Sequence, residues 1–124
     1  MHRISTGSPF EAAMGYSRAV VKGGWCFVSG VTGYDYATMT MPEDPARQAR
    51  NCFATIFKVL KEAGFVPDDI VRVQYTVTDA ALVDAITPAL GEAMGAIRPA
   101  ATMVVAGLIR PEMKVEIEVT AMRA

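Results

Sequence analysis

Few residue types in this chain are suited to proton transfer, nucleophilic attack or metal binding. The only histidine is His2, close to the N-terminus, which leaves histidine-centred triads and histidine-rich metal sites almost without support. Cys26 lies in a strand pattern and Cys52 on a predicted helix face, and neither has a second cysteine at metal-ligand spacing. We interpret both as buried, small apolar residues. Phosphate-binding glycine motifs are absent as well. We therefore expect no metal and no cofactor.

The remaining candidates are carboxylates and arginines on predicted strands. After Arg110-Pro111 the chain alternates cleanly between apolar and polar residues, which predicts a strand with one buried face. Its apolar face comprises Val115, Ile117, Val119 and Ala121, and its polar face comprises Lys114, Glu116, Glu118 and Thr120. Because the polar face points away from the core of the domain, either water or another subunit must cover it.

The elements that must position these residues follow from the pattern upstream. Tyr16 to Val21 predicts a first strand, and Gly23-Gly24 predicts a tight turn into a second strand, Trp25 to Val31. Residues 33–44 read as a loop. Asp44-Pro45 is typical of a helix start, and Gly64 of a helix end. Between them, one apolar stripe recurs at three- and four-residue steps: Ala49, Cys52, Phe53, Ile56, Leu60 and Ala63.

The second half of the chain continues with a strand, a helix and two further strands. Val71 to Thr78 alternates as a third strand. Asp79 is expected to cap a second helix that runs to about Met94 and is kinked or split at Pro88. A fourth strand is predicted near 101–106, before the last one. This order predicts an α+β fold, a mixed sheet with two helices packed on one face.

Length and composition set the remaining limits. A chain of 124 residues suits one domain, residues 1–124. With 12 basic and 13 acidic residues and no basic run, it lacks the electrostatic footprint of a nucleic-acid-binding protein. No segment is long and apolar enough for a membrane span, and residues 1–10 do not resemble a signal peptide, so we expect a cytoplasmic location. The hydrophobic content of 52% favours burial between subunits.

Several fragments, taken in order, resemble the RidA (YjgF) family of small trimeric proteins. They cover nearly the whole chain: Tyr16-Ser17 with Ala19-Val20, Phe27 to Gly30, Leu60 to Gly64, Asp69 to Val71, Thr76 to Asp79, Arg98 to Ala100, and Lys114 to Glu118. The resemblance implies a chorismate-mutase-like (RidA-like) domain. It also implies a homotrimer in which the sheets pack around a central barrel and ligand clefts lie between subunits.

The resemblance further implies a hydrolase that removes ammonia from enamines or imines. Carried over by position, the cleft residues are Tyr16, Ser29 and Gly30 for substrate binding and Glu116 for activating the attacking water. The residues themselves leave alternatives open. Packing between subunits explains Tyr16 equally well, a bulge without a ligand role explains Gly30, and solvent exposure on a strand explains Glu116.

One position departs from the family pattern. Active members carry an arginine that grips the substrate carboxylate, and the matching residue here is Ala101, followed by Thr102 in place of a serine. Two other cations are candidates to compensate. Arg18 lies two residues from Tyr16 and shares its face if the first strand alternates, whereas Arg98 precedes the fourth strand. Arg18 is the better candidate, although each is more commonly an ordinary surface charge.

Three functions remain in competition. The first is an enamine or imine deaminase that uses Glu116 and a water molecule. The second is a small-molecule-binding homotrimer, non-catalytic or differently specific, whose clefts accept ligands without a carboxylate. The third is a nuclease, which the acidic charge balance and the lack of a histidine or metal cluster place last.

Overall fold

The computed structural model describes residues 1–124 as one six-stranded sheet with three α-helices. The strands are β1 His2–Ile4, β2 Ala19–Lys22, β3 Trp25–Thr32, β4 Ile70–Val77, β5 Ala100–Val105 and β6 Val115–Met122. The helices are α1 Pro9–Met14, α2 Pro45–Ala63 and α3 Val83–Met94. The strand order is β1-β2-β3-β6-β4-β5, and every neighbouring pair is antiparallel except β4 and β5. The prediction of an α+β fold with a mixed sheet is confirmed.

Helix α2 forms where the sequence predicts it. The Asp44 side chain accepts a hydrogen bond from the Arg47 backbone N–H at 2.9 Å, and Gly64 ends the helix in the left-handed conformation. All members of the predicted apolar stripe are buried, from Ala49 to Ala63. They pack against the apolar face of β6, whose four predicted core residues are at most 3% exposed. The hydrophobic core therefore lies between α2 and the centre of the sheet.

Three predictions of local structure need correction. The N-terminal residues form β1 and α1, which the sequence analysis missed. The first predicted strand begins at Ala19 and not at Tyr16, because Gly15 closes α1 and residues 15–18 form the connection to β2. Pro88 neither ends nor splits α3. Because proline lacks a backbone N–H, α3 forgoes only the hydrogen bond to the carbonyl of Asp84, and of the predicted kink or split the split does not occur.

The face of the sheet opposite α2, here called the open face, is covered by neither α2 nor α3. Large apolar side chains lie exposed on it: Trp25, Phe27, Met122 and Val104. The rings of Trp25 and Phe27 stack on each other with centroids 6.1 Å apart. The polar residues of β6, Glu116 and Glu118, project to the same side by strand alternation. One chain thus leaves an apolar surface of the kind that usually marks an interaction site.

Candidate functional site

Five of the eight candidate residues from the sequence line one cavity. The cavity, here called the Glu116 cleft, has a volume of about 220 Å³ and lies at the end of β3 and the beginning of β6. The predicted residues in its lining are Tyr16, Arg18, Ser29, Gly30 and Glu116. The other lining residues are Phe10, Met14, Thr32, Tyr36, Ile109 and Met113. Arg18 and Glu116 are the only charged residues among them.

A β-bulge shapes the floor of this cleft. The register between β3 and β6 shifts between Val28 and Val31, so that Ser29 and Gly30 fall within the irregular stretch. A Cβ atom built on Gly30 would lie 2.6 Å from Cδ and 2.8 Å from Oε1 of Glu116. Only a residue without a side chain allows the carboxyl group to lie this close to the backbone of β3. The glycine in the bulge is therefore what makes room for the Glu116 carboxyl group.

The environment of Glu116 opposes its ionisation. Burial raises the pKa of this carboxyl group, and the neighbouring Glu118 charge raises it further, while the Arg18 charge acts in the opposite direction. The net result is a pKa above the ordinary value of a glutamate. A carboxyl group with a raised pKa, close to a cavity, is suited to take up and return a proton.

Arg18 lies beneath the cleft and not on a strand face. It is 1% exposed, and its guanidinium group lies over the rings of Tyr16 at 5.7 Å and Tyr36 at 4.9 Å. Nη1 donates a hydrogen bond to the carbonyl oxygen of Gly30 at 2.7 Å. Strand parity is therefore not what brings Arg18 to Tyr16, because both precede β2. The connection after α1 brings them together.

Ser29 and Tyr16 complete the predicted part of the cleft. The Ser29 hydroxyl donates a hydrogen bond to the carbonyl oxygen of Ser17 at 2.6 Å, which ties the bulge to the connection before β2. Burial raises the pKa of Tyr16, and the Arg18 charge partly opposes this. Tyr16 is 36% exposed and lies at the cleft wall, so its ring is accessible from outside the chain.

Ala101 and Thr102 lie elsewhere. Both are exposed on the edge strand β5, where they pair with Val73 and Gln74 of β4. Since β4 separates β5 from β6, they are about 10 Å away from the strand of Glu116. Arg98, the second candidate for a compensating cation, does not line the cleft either. Within one chain, the structure brings the acid and Arg18 together and leaves the β5 edge apart.

Sequence reasoning missed several residues that build the cleft. Helix α1 contributes Phe10 and Met14 to the lining, and its buried Glu11 lies 3.9 Å from Nε of Arg18. The signal for this helix was present, because Ser8, Pro9 and Glu11 have the spacing of a capped helix start. Tyr36, in contrast, lies in the loop before α2, where the sequence has no periodic pattern from which its position could be predicted.

A buried glutamine fixes the loops around the cleft. Gln48 of α2 donates hydrogen bonds to the carbonyl oxygens of Pro42 and Glu112, and its own carbonyl oxygen accepts one from the Lys114 backbone N–H. These bonds tie the loop before α2 and the loop before β6 to the same point of the helix. Gln48 is fully buried, so each of the three bonds satisfies a polar group that water does not reach.

A larger groove of about 780 Å³ lies between α2 and the loop that precedes it, but it contains none of the predicted site residues. No group of three or more histidine, cysteine or acidic side chains is arranged to hold a metal ion. None of the helices combines the length and the apolar character that crossing a bilayer requires.

The mixed sheet and the Glu116 carboxyl group packed against a bulged strand place the chain among small α+β proteins. Comparison with known families identifies which family it belongs to. The model of the Endoribonuclease L-PSP family matches residues 6–123. The chain therefore belongs to this family, which includes the YjgF and RidA proteins.

Solved structures and a sequence relative agree with this assignment. A Mycobacterium tuberculosis member of the YjgF/YER057c/UK114 family is 37% identical, with 98% of each chain covered and a TM-score of 0.89. RidA from an Antarctic Psychrobacter species is 27% identical, with 87% of this chain and 88% of that chain covered and a TM-score of 0.81. An uncharacterised protein of Streptomyces coelicolor is 31% identical over 99% of this chain and 92% of its own length.

Proposed function

We propose that this protein hydrolyses imines or enamines, releasing ammonia, with Glu116 as the acid/base group. The observation that carries the proposal is the position of the Glu116 carboxyl group, which lines the cleft and packs against Gly30 with a raised pKa. Glu118 lies two residues further along the same strand but is exposed and does not line this cleft. This difference in position supports Glu116 over Glu118 as the acid/base group.

The reaction needs only a proton carrier and a held water molecule. The reacting form is the protonated iminium, C=NH2+. Ionised Glu116 accepts a proton from water as the oxygen adds to carbon, and the C=N electron pair moves to nitrogen, which gives a neutral carbinolamine. The protonated Glu116 then gives this proton to the amine nitrogen. The C–N bond breaks with its electron pair on nitrogen, ammonia leaves, the Glu116 carboxylate takes the hydroxyl proton, and a carbonyl product remains. An enamine enters the same path after protonation at carbon gives the iminium form.

The test follows ammonia release from imines generated in the assay, with two sources. An amino acid oxidase supplies 2-iminobutanoate, and an amine oxidase acting on a primary amine supplies an aldimine without a carboxylate. We expect the protein to accelerate ammonia release from at least one source, and Glu116→Gln to reduce the acceleration by about 10²-fold or more. Glu118→Gln is the matched control and should retain activity within about twofold. Equal activity in wild type and Glu116→Gln would contradict the assignment.

We also propose that the active form is a homotrimer in which the open faces meet and the cleft of one subunit is completed by a neighbour. The exposed Trp25, Phe27 and Met122 support this, because a small domain rarely leaves stacked aromatic rings in water. The exposed β5 edge with Ala101 and Thr102 is the part that a neighbouring subunit's cleft would receive. Light scattering at micromolar concentration should give the trimer mass, and a single species of monomer mass would contradict both the trimer and the shared cleft.

A second function is favoured by the β5 edge. With Ala101 in place of a cation, this edge offers no charged group to a ligand, and a cleft completed by it would suit small molecules that are bound without turnover. The ammonia assay separates the two functions, because a binding protein would show saturable ligand binding and no dependence of ammonia release on Glu116. Ribonuclease activity, which the family description names, ranks last since a formal charge of −1 offers little attraction to a polyanion.

A further inference from the structure

Arg18 is the only basic residue that lines the Glu116 cleft, so its availability decides whether an anionic ligand can be held there. The side chain is 1% exposed and held between two tyrosine rings, with Cζ at 4.9 Å from the centroid of Tyr36 and 5.7 Å from that of Tyr16. One of its donors is already used by the carbonyl oxygen of Gly30. To form two parallel bonds to a ligand carboxylate, the guanidinium group would have to present two of its other donors to the cleft while it keeps the bond to Gly30.

A buried carboxylate neutralises this cation from the side of α1. Oε2 of Glu11 lies 3.9 Å from Nε of Arg18, a distance that gives an ion pair without a hydrogen bond, and Nε has no other partner. Glu11 is 6% exposed, and its Oε2 accepts hydrogen bonds from the backbone N–H of Thr6 at 3.0 Å and from the Thr6 hydroxyl at 2.6 Å.

These bonds keep Glu11 ionised. Burial would raise the pKa of Glu11, but the hydrogen bonds from Thr6 and Ser5 and the Arg18 charge together hold the pKa below its ordinary value. The charges around the floor of the cleft are then one cation and up to two carboxylates, Glu11 and Glu116. A ligand carboxylate would become a third anion beside a single cation, in a site where desolvation is not offset.

The rim of the cleft has the opposite character. Met14 is 59% and Ile109 is 69% exposed, and both line the opening above Arg18 and Glu116. Such a rim suits an apolar substituent on the ligand and offers nothing to a charged one.

We infer that Glu11 is a positioning residue that sets substrate class: by neutralising Arg18 it restricts the cleft to imines and enamines that lack a carboxylate and carry an apolar substituent. This inference rests on the proposed function only in that the cleft accepts imines or their carbonyl counterparts. Glu11 acts through Arg18 and does not itself line the cleft.

The experiment is a calorimetric titration of the full-length protein with two probes, 2-oxobutanoate and its amide, 2-oxobutanamide. Wild type should bind the amide more tightly, by about tenfold or more. Glu11→Gln keeps an acceptor oxygen for Thr6 but removes the charge, and it should shift the acid-to-amide affinity ratio by about tenfold toward the acid. Glu92→Gln is the matched control, because it removes the same charge from an exposed pair with Arg50 and should leave the ratio unchanged.

A double variant, Glu11→Gln with Arg18→Gln, removes both buried charges and should lose the gain in acid binding. It also covers the case in which Glu11→Gln alone does not fold, since a wild-type preference for the acid that disappears in the double variant would show Arg18 to be a carboxylate clamp. Tighter binding of the acid by wild type, an unchanged ratio in Glu11→Gln, or binding of neither probe would overturn the inference. The ratio is measured without turnover, so an inactive protein with a shifted ratio would contradict the proposed function alone.

Discussion

The Glu116 cleft and the β5 edge differ in how many contacts their side chains make within one chain. In the cleft, the surroundings of the charged groups come from the same chain: the Glu116 carboxyl group packs against Gly30, and Arg18 faces Glu11 and the Gly30 carbonyl oxygen. At the β5 edge, Ala101 and Thr102 are exposed and make no side-chain hydrogen bond. No contact within the chain couples the two regions, so each can change without disturbing the other.

The contrast also separates acid/base chemistry from ligand recognition. The features suited to proton transfer, a bulged strand and a partly buried carboxyl group, lie in the cleft. The position where the family resemblance implies a carboxylate grip lies on an edge strand that carries alanine. If the proposed function is correct, a substitution at the β5 edge should change the preference among substrates more than it changes the acid/base group.

Changing the β5 edge should have the largest effect on this contrast. Ala101→Arg would supply a cation able to form two parallel hydrogen bonds, and we expect turnover of 2-iminobutanoate to rise by about 10- to 100-fold relative to the aldimine. The measurement is ammonia release from both imines. Ala101→Lys is the matched control, since it adds the charge without the planar fork and should give a smaller gain.

If the folded, trimeric Ala101→Arg variant showed no relative gain, the β5 edge would not contribute to the cleft of a neighbour. The contrast between the cleft and the β5 edge would then be irrelevant to substrate binding.

Changing the cleft floor should have a moderate effect on stability. In Gly30→Ala, the new Cβ would lie 2.6 Å from Cδ of Glu116, so we expect a loss of about 1–3 kcal/mol in the free energy of unfolding, measured by urea denaturation. The loss should be smaller in a Glu116→Ala background, where the opposing atoms are gone, with a coupling energy of about 1 kcal/mol.

Gly91→Ala is the matched control for the loss of a glycine. A Cβ at Gly91 meets nothing within 4 Å, and the residue lies inside α3, so alanine there should stabilise the protein by up to about 1 kcal/mol. Equal losses from Gly30→Ala in the two backgrounds would show that the bulge, and not Glu116, requires the glycine.

The periodic parts of this fold were predictable from sequence, and the non-periodic parts of the site were not. The alternation around Glu116 places it opposite the core, and the apolar stripe of α2 orients that helix, because both depend on local spacing. The bulge that sets Glu116 apart from Glu118 has no period. It arises from the pairing of β3 with β6, whose residues are about 90 positions apart in sequence, and the register of that pairing is visible only in the folded chain.

The surroundings of Arg18 show the same limit. We expected strand alternation to place Arg18 near Tyr16. The two residues are close because both lie in the connection between α1 and β2. Glu11 belongs to a helix of six residues, too short for an apolar stripe, although its capping residues could have predicted it. Tyr36 comes from a loop, where only the tertiary structure decides which side chains meet a buried cation.

The smallest expected effect concerns the electrostatic strain that Glu116 places on the fold. Burial and Glu118 raise its pKa above the value of the unfolded chain, so the folded state binds this proton more tightly. The associated stability is fully present below the unfolded pKa and is lost as the pH rises through the folded pKa. At pH 7.5 the wild type carries the full penalty of a partly buried charge, and Glu116→Gln, which is neutral, does not carry this penalty.

Glu116→Gln should therefore melt about 2–4 °C higher than wild type at pH 7.5, and the difference should vanish near pH 4. Calorimetric melting at the two pH values measures this, with the exposed Glu118→Gln as a control that should shift less. A lower melting temperature for Glu116→Gln at pH 7.5 would mean that the ionised carboxylate stabilises the fold, and that Glu116 is a structural residue of the bulge.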